Sequence, residues 1–266
     1  MNKDLLTYTK TRNKIYSSLP KPIIYSPSDY KIPLKYTGAK VKIAIIDSGC
    51  PNHKDIKITG GKNIINVNKN NVSFCNNTKN IYDNLGHSTI IAGIIKAKNK
   101  DAITGIAPNS QLYFAKVIDG SNYCSFNAIV AAILWAIIKK VDIITLSIGT
   151  QYNYQILHDA IKKAYNNGIC IFATAGNKNE DVNYPAQYPE VRSVSFLKTT
   201  KNKVDFIIPT KNIYTTYIKN EYVKTSGSSV ANALVTGIAS LLIEKNRIEN
   251  KNYSSKTIYS ELSKII

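Results

Sequence analysis

The chain has 266 residues, of which 44% are hydrophobic and 20% charged, and its formal net charge is +18. This length and apolar content fit one large folded domain and exclude disorder over most of the chain. The longest apolar run, 128–138, is too short to span a bilayer, so we predict no membrane partner.

Residues 1–40 are polar, rich in tyrosine and interrupted by prolines, which predicts an extended arm ahead of one domain at 41–266. From residue 41 onward, short apolar strands alternate with helices, and this pattern is typical of a three-layer α/β fold with a mostly parallel central sheet and helices on both faces. The predicted strands are Val41–Ile46, Gln111–Val117, Val141–Leu146, Ile169–Thr174, Val191–Phe196 and Asp205–Ile208. The predicted helices are Ser88–Lys96, Ser125–Lys139, Tyr154–Asn166 and Ser229–Lys245.

The positive charge is carried by lysines spread along the whole chain, with no dense basic block. We therefore predict no nucleic-acid partner. Two interpretations remain for the lysines. They form an ordinary solvated surface, or they suit the protein to an acidic peptide substrate.

The cysteines are scattered, and the first ten residues contain no apolar signal core. We therefore predict reduced, buried thiols and a cytoplasmic location. Zinc is disfavoured because none of the 3 histidines has ligand spacing to a cysteine, and we expect no required cofactor. The cysteines are Cys50, Cys75, Cys124 and Cys170.

Several residues, most of them polar, follow the ends of predicted strands or stand at the starts of predicted helices. In a parallel sheet, sites lie beyond the carboxyl ends of the strands, so these residues are predicted to meet at one rim although they are far apart in sequence. They are Asp47, His87, Ser147, Gly149, Asn177 and Ser229.

Taken one at a time, three of these residues have a purely structural explanation. Asp47 suits a turn, His87 suits the start of a helix and Ser229 suits a helix N-cap. Together they supply a hydroxyl, a base that takes its proton and a carboxylate that orients the base. The order Asp, His, Ser is one of the chain orders in which this machinery occurs.

Motifs around these residues carry a family resemblance. Asp47-Ser48-Gly49 looks like Asp-Ser/Thr-Gly, and the segment from His87 to Gly93 resembles His-Gly-Thr-His-Val-Ala-Gly. Similar blocks are Gly105-Ile106-Ala107-Pro108, Ala173-Thr174-Ala175-Gly176-Asn177 and Gly227-Ser228-Ser229-Val230-Ala231. With these blocks in this order, the chain resembles the subtilisin-like serine proteases (peptidase S8) over about 41–242, most of all their intracellular branch.

The resemblance implies that Ser229 attacks the scissile carbonyl, His87 moves the proton and Asp47 orients His87. It implies that Asn177 and the backbone N–H of Ser229 hold the oxyanion. It also implies a primary specificity pocket with Tyr184-Pro185-Ala186 near its base, and a segment at 120–125 that pairs with extended substrate. The walls of that pocket would be Ser147, Ile148, Gly149, Ala175 and Gly176.

A metal site is left open by the sequence. The resemblance places Asp55 where one carboxylate ligand of a calcium ion would lie. The turn at 97–103 is short and flanked by lysines, which oppose a bound cation.

We predict a monomeric serine endopeptidase whose partner is a peptide or protein substrate. One use is removal of an acidic leader from a dedicated precursor, as in the leader peptidases of lantibiotic gene clusters, and the net charge of +18 favours it. The alternative is general intracellular proteolysis. A third interpretation is an inactive binding protein on a protease scaffold.

Overall fold

The computed structural model describes residues 15–18, 21, 23–65, 80–176, 182–198 and 203–266. The strands are β1 (Ile15–Tyr16), β2 (Ile23–Ile24), β3 (Lys42–Asp47), β4 (Gly60–Asn63), β5 (Ile103–Thr104), β6 (Gln111–Lys116), β7 (Ile143–Leu146), β8 (Cys170–Thr174), β9 (Arg192–Ser195), β10 (Phe206–Ile207), β11 (Ile213–Thr216) and β12 (Tyr222–Thr225). The helices are α1 (His87–Lys96), α2 (Phe126–Ile138), α3 (Gln155–Asn166), α4 (Ser228–Ile248) and α5 (Ser255–Leu262), with short 3₁₀ turns at Pro27–Tyr30 and Ile218–Asn220.

Seven strands form the central sheet in the order β10-β9-β8-β7-β3-β6-β4, and all neighbours are parallel. The chain passes from β3 to β4 and β6 on one side, and then crosses to β7 on the other. The reversal of strand order therefore lies at β3, where a parallel sheet offers a crevice for a ligand.

Alternate residues of β3 enter two different cores. Ile43 and Ile45 join a core with α1, α4 and α5, whereas Ala44 and Ile46 join one with α2 and α3. Because successive side chains of a strand point to opposite faces, helices cover both sides of the sheet. The predicted three-layer α/β fold with a mostly parallel sheet is confirmed.

The predicted elements agree with the structure to within about three residues at their ends. Absent from the prediction are the short strands β1, β2, β4 and β5, the hairpin β11–β12 and the C-terminal helix α5. Ser254 caps α5 by accepting from the backbone N–H of Thr257 at 3.3 Å, and the Thr257 hydroxyl accepts from the backbone N–H of Ser254.

The described part of residues 1–40 packs against the rest of the chain. β1 pairs antiparallel with β12, and β2 pairs parallel with β5. Ile32 and Tyr36 are buried in the core of α1 and α4. The separation of residues 1–40 from a domain at 41–266 stays a prediction.

Candidate active site

Asp47 ends the central strand β3 at the carboxyl edge of the sheet. On β6 its partner in register is Lys116, and the residue before it, Ile46, pairs with Leu146 at the end of β7. The side chain is buried, with 1% of the residue exposed. A buried carboxylate needs partners, and its Oδ1 atom accepts from the backbone N–H of Ser48 at 2.7 Å.

His87 is the main partner of Asp47. Its Nδ1 atom lies 2.8 Å from Oδ1 and 2.9 Å from Oδ2 of the carboxylate. With Nδ1–H donated in this way, Nε2 is the ring nitrogen that can accept a proton. His87 is the first residue of α1, and it follows Gly86, whose φ of 87° is in the left-handed region that favours glycine.

The surroundings of His87 stabilise its charged form. Burial lowers the pKa, but the charge and the hydrogen bond of Asp47, together with the charge of Asp83, outweigh it and raise the pKa above its ordinary value. The arrangement therefore favours uptake of a proton by the imidazole, which is what a general base needs.

A second buried carboxylate, Asp83, was missed by the sequence reasoning. Its Oδ1 atom accepts from Ser48 Oγ at 2.9 Å and from the backbone N–H groups of Leu85 and Gly86 at 3.0 and 2.9 Å. Its Oδ2 atom accepts from the backbone N–H and the hydroxyl of Thr89 at 2.8 and 2.6 Å.

Four of these five hydrogen bonds fasten the turn before His87 and the first turn of α1, and the fifth comes from Ser48. Ser48, the residue after Asp47, also accepts from the backbone N–H of Ser88 at 3.0 Å. Asp83 and Ser48 thus join the segment of Asp47 to the segment of His87. No capping spacing marks Asp83 in the sequence, because Gly86 holds the N-cap position of α1 and Asp83 lies three residues before it.

Ser229 lies in the first turn of α4 and is partly exposed, while its neighbours Ser228 and Val230 are buried. The chain enters the helix through Gly227, whose φ is 137°. Thr210 holds Gly227 because its hydroxyl accepts from the Gly227 N–H at 3.0 Å. The first N–H groups of a helix have no intrahelical partner, so this turn can present donors beside the Ser229 hydroxyl.

Two side chains near the start of α4 contact one predicted pocket wall and the strand that precedes the other. Ser228 Oγ donates to the carbonyl oxygen of Gly176, just after β8. Asn232 donates to Thr145 Oγ1 at 2.9 Å and to the Leu146 carbonyl oxygen at 3.3 Å, at the end of β7. The wall segments 147–149 and 175–176 follow those two strands, so they adjoin the turn that carries Ser229. Asn177 lies outside the described residues.

A comparison with family profiles matches residues 38–262 to Peptidase_S8, the subtilase family. The chain belongs to the subtilase family. Subtilases are serine endopeptidases, and the order of Asp47, His87 and Ser229 in the matched region is the order of their triad.

Curated relatives agree with the family assignment. Minor extracellular protease Epr of Bacillus subtilis (strain 168) is 36% identical over 80% of this chain and 33% of its own length. Subtilisin DY of Bacillus licheniformis is 34% identical over 79% of each chain. The major intracellular serine protease of Bacillus subtilis (strain 168) is 31% identical over 85% of this chain and 73% of its own.

The calcium carboxylate suggested by the subtilase resemblance is Asp55, and its surroundings do not fit a cation. Oδ1 accepts from the Asn99 amide at 2.9 Å, and Oδ2 accepts from the Tyr222 hydroxyl at 2.7 Å. Two neutral donors thus satisfy the carboxylate, whereas a calcium ion needs six to eight oxygen ligands. In the described ranges, no group of three or more His, Cys, Asp or Glu side chains could hold a metal.

Three cysteines of this subtilase, Cys50, Cys124 and Cys170, are free and buried. Burial raises the pKa of Cys50 to about 12, and it also raises the pKa values of Cys124 and Cys170. These thiols are protonated at neutral pH and unreactive. Cys75 lies outside the described residues. Among the helices described, none has the length and apolar character to cross a membrane.

Proposed function

We propose that this subtilase hydrolyses peptide bonds through a covalent acyl-enzyme on Ser229. The observation that carries the proposal is the contact of His87 Nδ1 with both oxygens of Asp47, in a chain of this family. The Ser229 oxygen forms a bond to the scissile carbonyl carbon and gives its proton to His87 Nε2. The carbon–nitrogen bond then breaks, and His87 passes the proton to the leaving amine.

Hydrolysis of the acyl-enzyme repeats these steps with water. A water molecule gives a proton to His87, and the water oxygen bonds to the acyl carbon. The bond between that carbon and the Ser229 oxygen then breaks, and His87 returns the proton to Ser229. Asp47 holds the imidazole in the useful tautomer and stabilises its charged form. We assign the oxyanion to the side chain of Asn177 and the backbone N–H of Ser229, where such donors act on charge that develops during the reaction.

We further propose that Asp83 positions His87. Four of its hydrogen bonds fix the start of α1 and a fifth comes from Ser48. Its charge adds to that of Asp47 in raising the pKa of His87. The charge of Asp83 also acts to raise the pKa values of Lys116 on β6 and of Tyr217. An uncharged residue at this position would leave the imidazole with one carboxylate neighbour where it now has two.

Asp83→Asn is therefore expected to move the acidic limb of the pH profile of kcat/KM to lower pH. Removing a negative charge lowers the pKa of His87, so the base stays deprotonated further into the acid range. The variant is also expected to unfold more easily, by about 1–3 kcal/mol, because an amide leaves some of the five donors unpaired.

The matched control is Asp142→Asn, which changes a hydrogen-bonded carboxylate beside β7 at the opposite edge of the sheet. It is expected to leave the acidic limb in place. If Asp83→Asn lowers stability but leaves the limb where it is in the wild type, Asp83 is a purely structural residue.

At a finer level, we propose a cytoplasmic enzyme that removes an acidic leader from a dedicated precursor, such as that of a lantibiotic. The net charge of +18 supports attraction to an acidic peptide. Three free cysteines and the likeness to intracellular proteases support a reducing compartment. General intracellular proteolysis is the second candidate, and the names of the same relatives favour it.

Precursor processing and general proteolysis can be distinguished by assaying casein and an acidic leader-type peptide side by side, at low and high salt. Processing of an acidic precursor predicts preferential cleavage of the peptide, and a fall in kcat/KM with salt because charges are screened beyond about 10 Å at 0.1 M. Equal cleavage of both substrates without salt dependence would favour general proteolysis. A lysine-free acidic peptide and its amidated, neutral counterpart form the matched pair of substrates.

A further inference from the structure

Three segments of the chain meet at the amino edge of the central sheet, where β3 and β7 begin. Arg247, near the end of α4, donates to the carbonyl oxygen of Lys40, ahead of β3, at 3.2 Å. The same guanidinium pairs with Asp142, ahead of β7, at 2.5 Å. The segment before β3, the segment before β7 and the end of α4 are therefore in contact at this edge.

The three most exposed large hydrophobic side chains of the described residues belong to these segments. Ile138, the last residue of α2, is 63% exposed, and Ile248, the last residue of α4, is 59% exposed. Leu34 is 66% exposed, and it lies near Ile248 because the Tyr36 hydroxyl donates to Glu249 at 3.2 Å. Single exposed hydrophobic residues are ordinary on a protein surface, but the three largest exposures at one edge indicate an apolar partner.

Four exposed lysines accompany these hydrophobic side chains. Lys35 follows Leu34 in the sequence, and two more lysines follow Ile138 directly. The fourth lies on the segment before β3 that Arg247 contacts. Within the described ranges, none of the four forms an ion pair. They are Lys35, Lys40, Lys139 and Lys140.

The acidic side chains of the same segments already have partners. Asp142 pairs with Arg247, and Glu249 pairs with Lys251 at 2.6 Å. Glu244 is buried, and it accepts from the backbone N–H groups of residues 37 and 38 at 2.6 and 2.7 Å. The four lysines therefore leave the edge positively charged, with aliphatic side chains among them.

This edge lies far from the candidate active site. Helix α4 runs from Ser229 to Ile248, and its 21 residues rise about 31 Å. Asp47 likewise lies at the opposite end of β3 from Lys42. A partner bound at the amino edge therefore leaves the active site open to substrate.

We infer that these four lysines and three aliphatic side chains, here called the basic edge, attach the protein to the surface of an anionic lipid bilayer. Lysines attract anionic headgroups, and separate aliphatic side chains that protrude can each enter the interface. A nucleic acid would neutralise the lysines but leave the aliphatic side chains in water. The sequence predicted no membrane partner because no apolar run spans a bilayer, and attachment to the surface needs no span.

The experiment is co-sedimentation of the full chain with vesicles of phosphatidylglycerol and phosphatidylcholine, or of phosphatidylcholine alone. We expect binding to the anionic vesicles, weaker at high salt, and little binding to the neutral ones. Lys139→Gln/Lys140→Gln is expected to weaken binding to the anionic vesicles about 10- to 30-fold, because each lysine near the surface contributes about fivefold. The matched control is Lys211→Gln/Lys219→Gln, which changes exposed lysines on either side of β11, a strand that bonds to the first turn of α1.

A second pair of variants tests the aliphatic side chains. Ile138→Ser/Ile248→Ser is expected to weaken binding to anionic vesicles about tenfold, because less apolar surface enters the interface. Its control is Ile156→Ser/Leu197→Ser, which changes exposed side chains that follow β7 and β9, beyond the carboxyl edge of the sheet. The control is expected to bind as the wild type does.

Two results would overturn the inference. One is a wild type that does not sediment with anionic vesicles, including one that binds duplex DNA instead, and this result does not depend on how any variant folds. The other is equal weakening by the basic-edge variants and their controls, which would attribute binding to the net charge of +18 alone. Vesicle binding does not require hydrolysis, so either result leaves the proposed peptidase function intact.

Discussion

Ser229→Ala is expected to lower kcat by about 10⁶-fold, the scale of loss when the nucleophile of a subtilisin triad is removed. The methyl group cannot form the covalent bond to the carbonyl carbon, so His87 has no proton to take from it. KM is expected to stay close to that of the wild type, because the hydrogen bonds of Ser228 to Gly176 and of Asn232 to β7 are unchanged. The measurement is the steady-state hydrolysis of a fluorogenic peptide.

Ser226→Ala is the matched control for this loss. Ser226 is an exposed serine three residues before Ser229, and its Oγ atom accepts from the backbone N–H of Asn212 at 3.1 Å. Its replacement is expected to leave kcat within a factor of a few of the wild type. If Ser229→Ala and Ser226→Ala retained equal activity, another group would have to be the nucleophile.

Asp47→Asn is expected to lower kcat by about 10⁴-fold. Both carboxylate oxygens lie within 2.9 Å of His87 Nδ1, so an amide in their place can turn its NH₂ group toward that nitrogen. The imidazole would then carry its proton on Nε2 and could not accept one from Ser229. The loss of negative charge also removes the main stabilisation of the imidazolium.

The pH profile separates this effect from a general loss of structure. Raising the pH is expected to recover only part of the Asp47→Asn activity, while thermal unfolding shows a folded protein. Asp142→Asn again serves as the control, since it changes a carboxylate that pairs with Arg247, away from the carboxyl edge of the sheet. A kcat for Asp47→Asn within tenfold of the wild type would contradict the role assigned to this carboxylate.

The central fold was predictable because its strands are continuous apolar runs and its helices alternate with them. The edge strand β4 was not, because Gly60-Gly61-Lys62-Asn63 has no preference for extended structure. It forms because its backbone pairs with β6, and because Gly61 leaves room for Cys50, whose sulfur would lie 2.1 Å from a Cβ atom there. The hairpin β11–β12 did carry a signal, the β-branched and aromatic runs Ile213–Thr216 and Tyr222–Thr225.

Site residues that lie in a short sequence motif could be predicted. Residues whose role depends on contacts between distant segments could not. Asp47 and His87 lie in short motifs, and the structure brings them into contact. The role of Asp83 depends on Ser48, which is 35 residues away along the chain.

The candidate calcium site also depends on contacts that the sequence does not show. The family resemblance placed Asp55 at a calcium carboxylate, but the sequence could not show the donors that reach it from Asn99 and Tyr222. Tyr222 lies on β12, and it is 167 residues away from Asp55 in sequence. The sequence therefore left the metal site open, and the hydrogen bonds to Asp55 come from residues that are distant in sequence.

The most direct test of the account is labelling with a fluorophosphonate probe, followed by peptide mapping. The probe reacts with a serine only when an adjacent base activates its hydroxyl. We predict one phosphonylated residue, Ser229, with labelling lost in Ser229→Ala, strongly reduced in Asp47→Asn and retained in Ser226→Ala. An unlabelled wild-type protein, or a label on another serine, would contradict the assignment of Asp47, His87 and Ser229 as the catalytic triad.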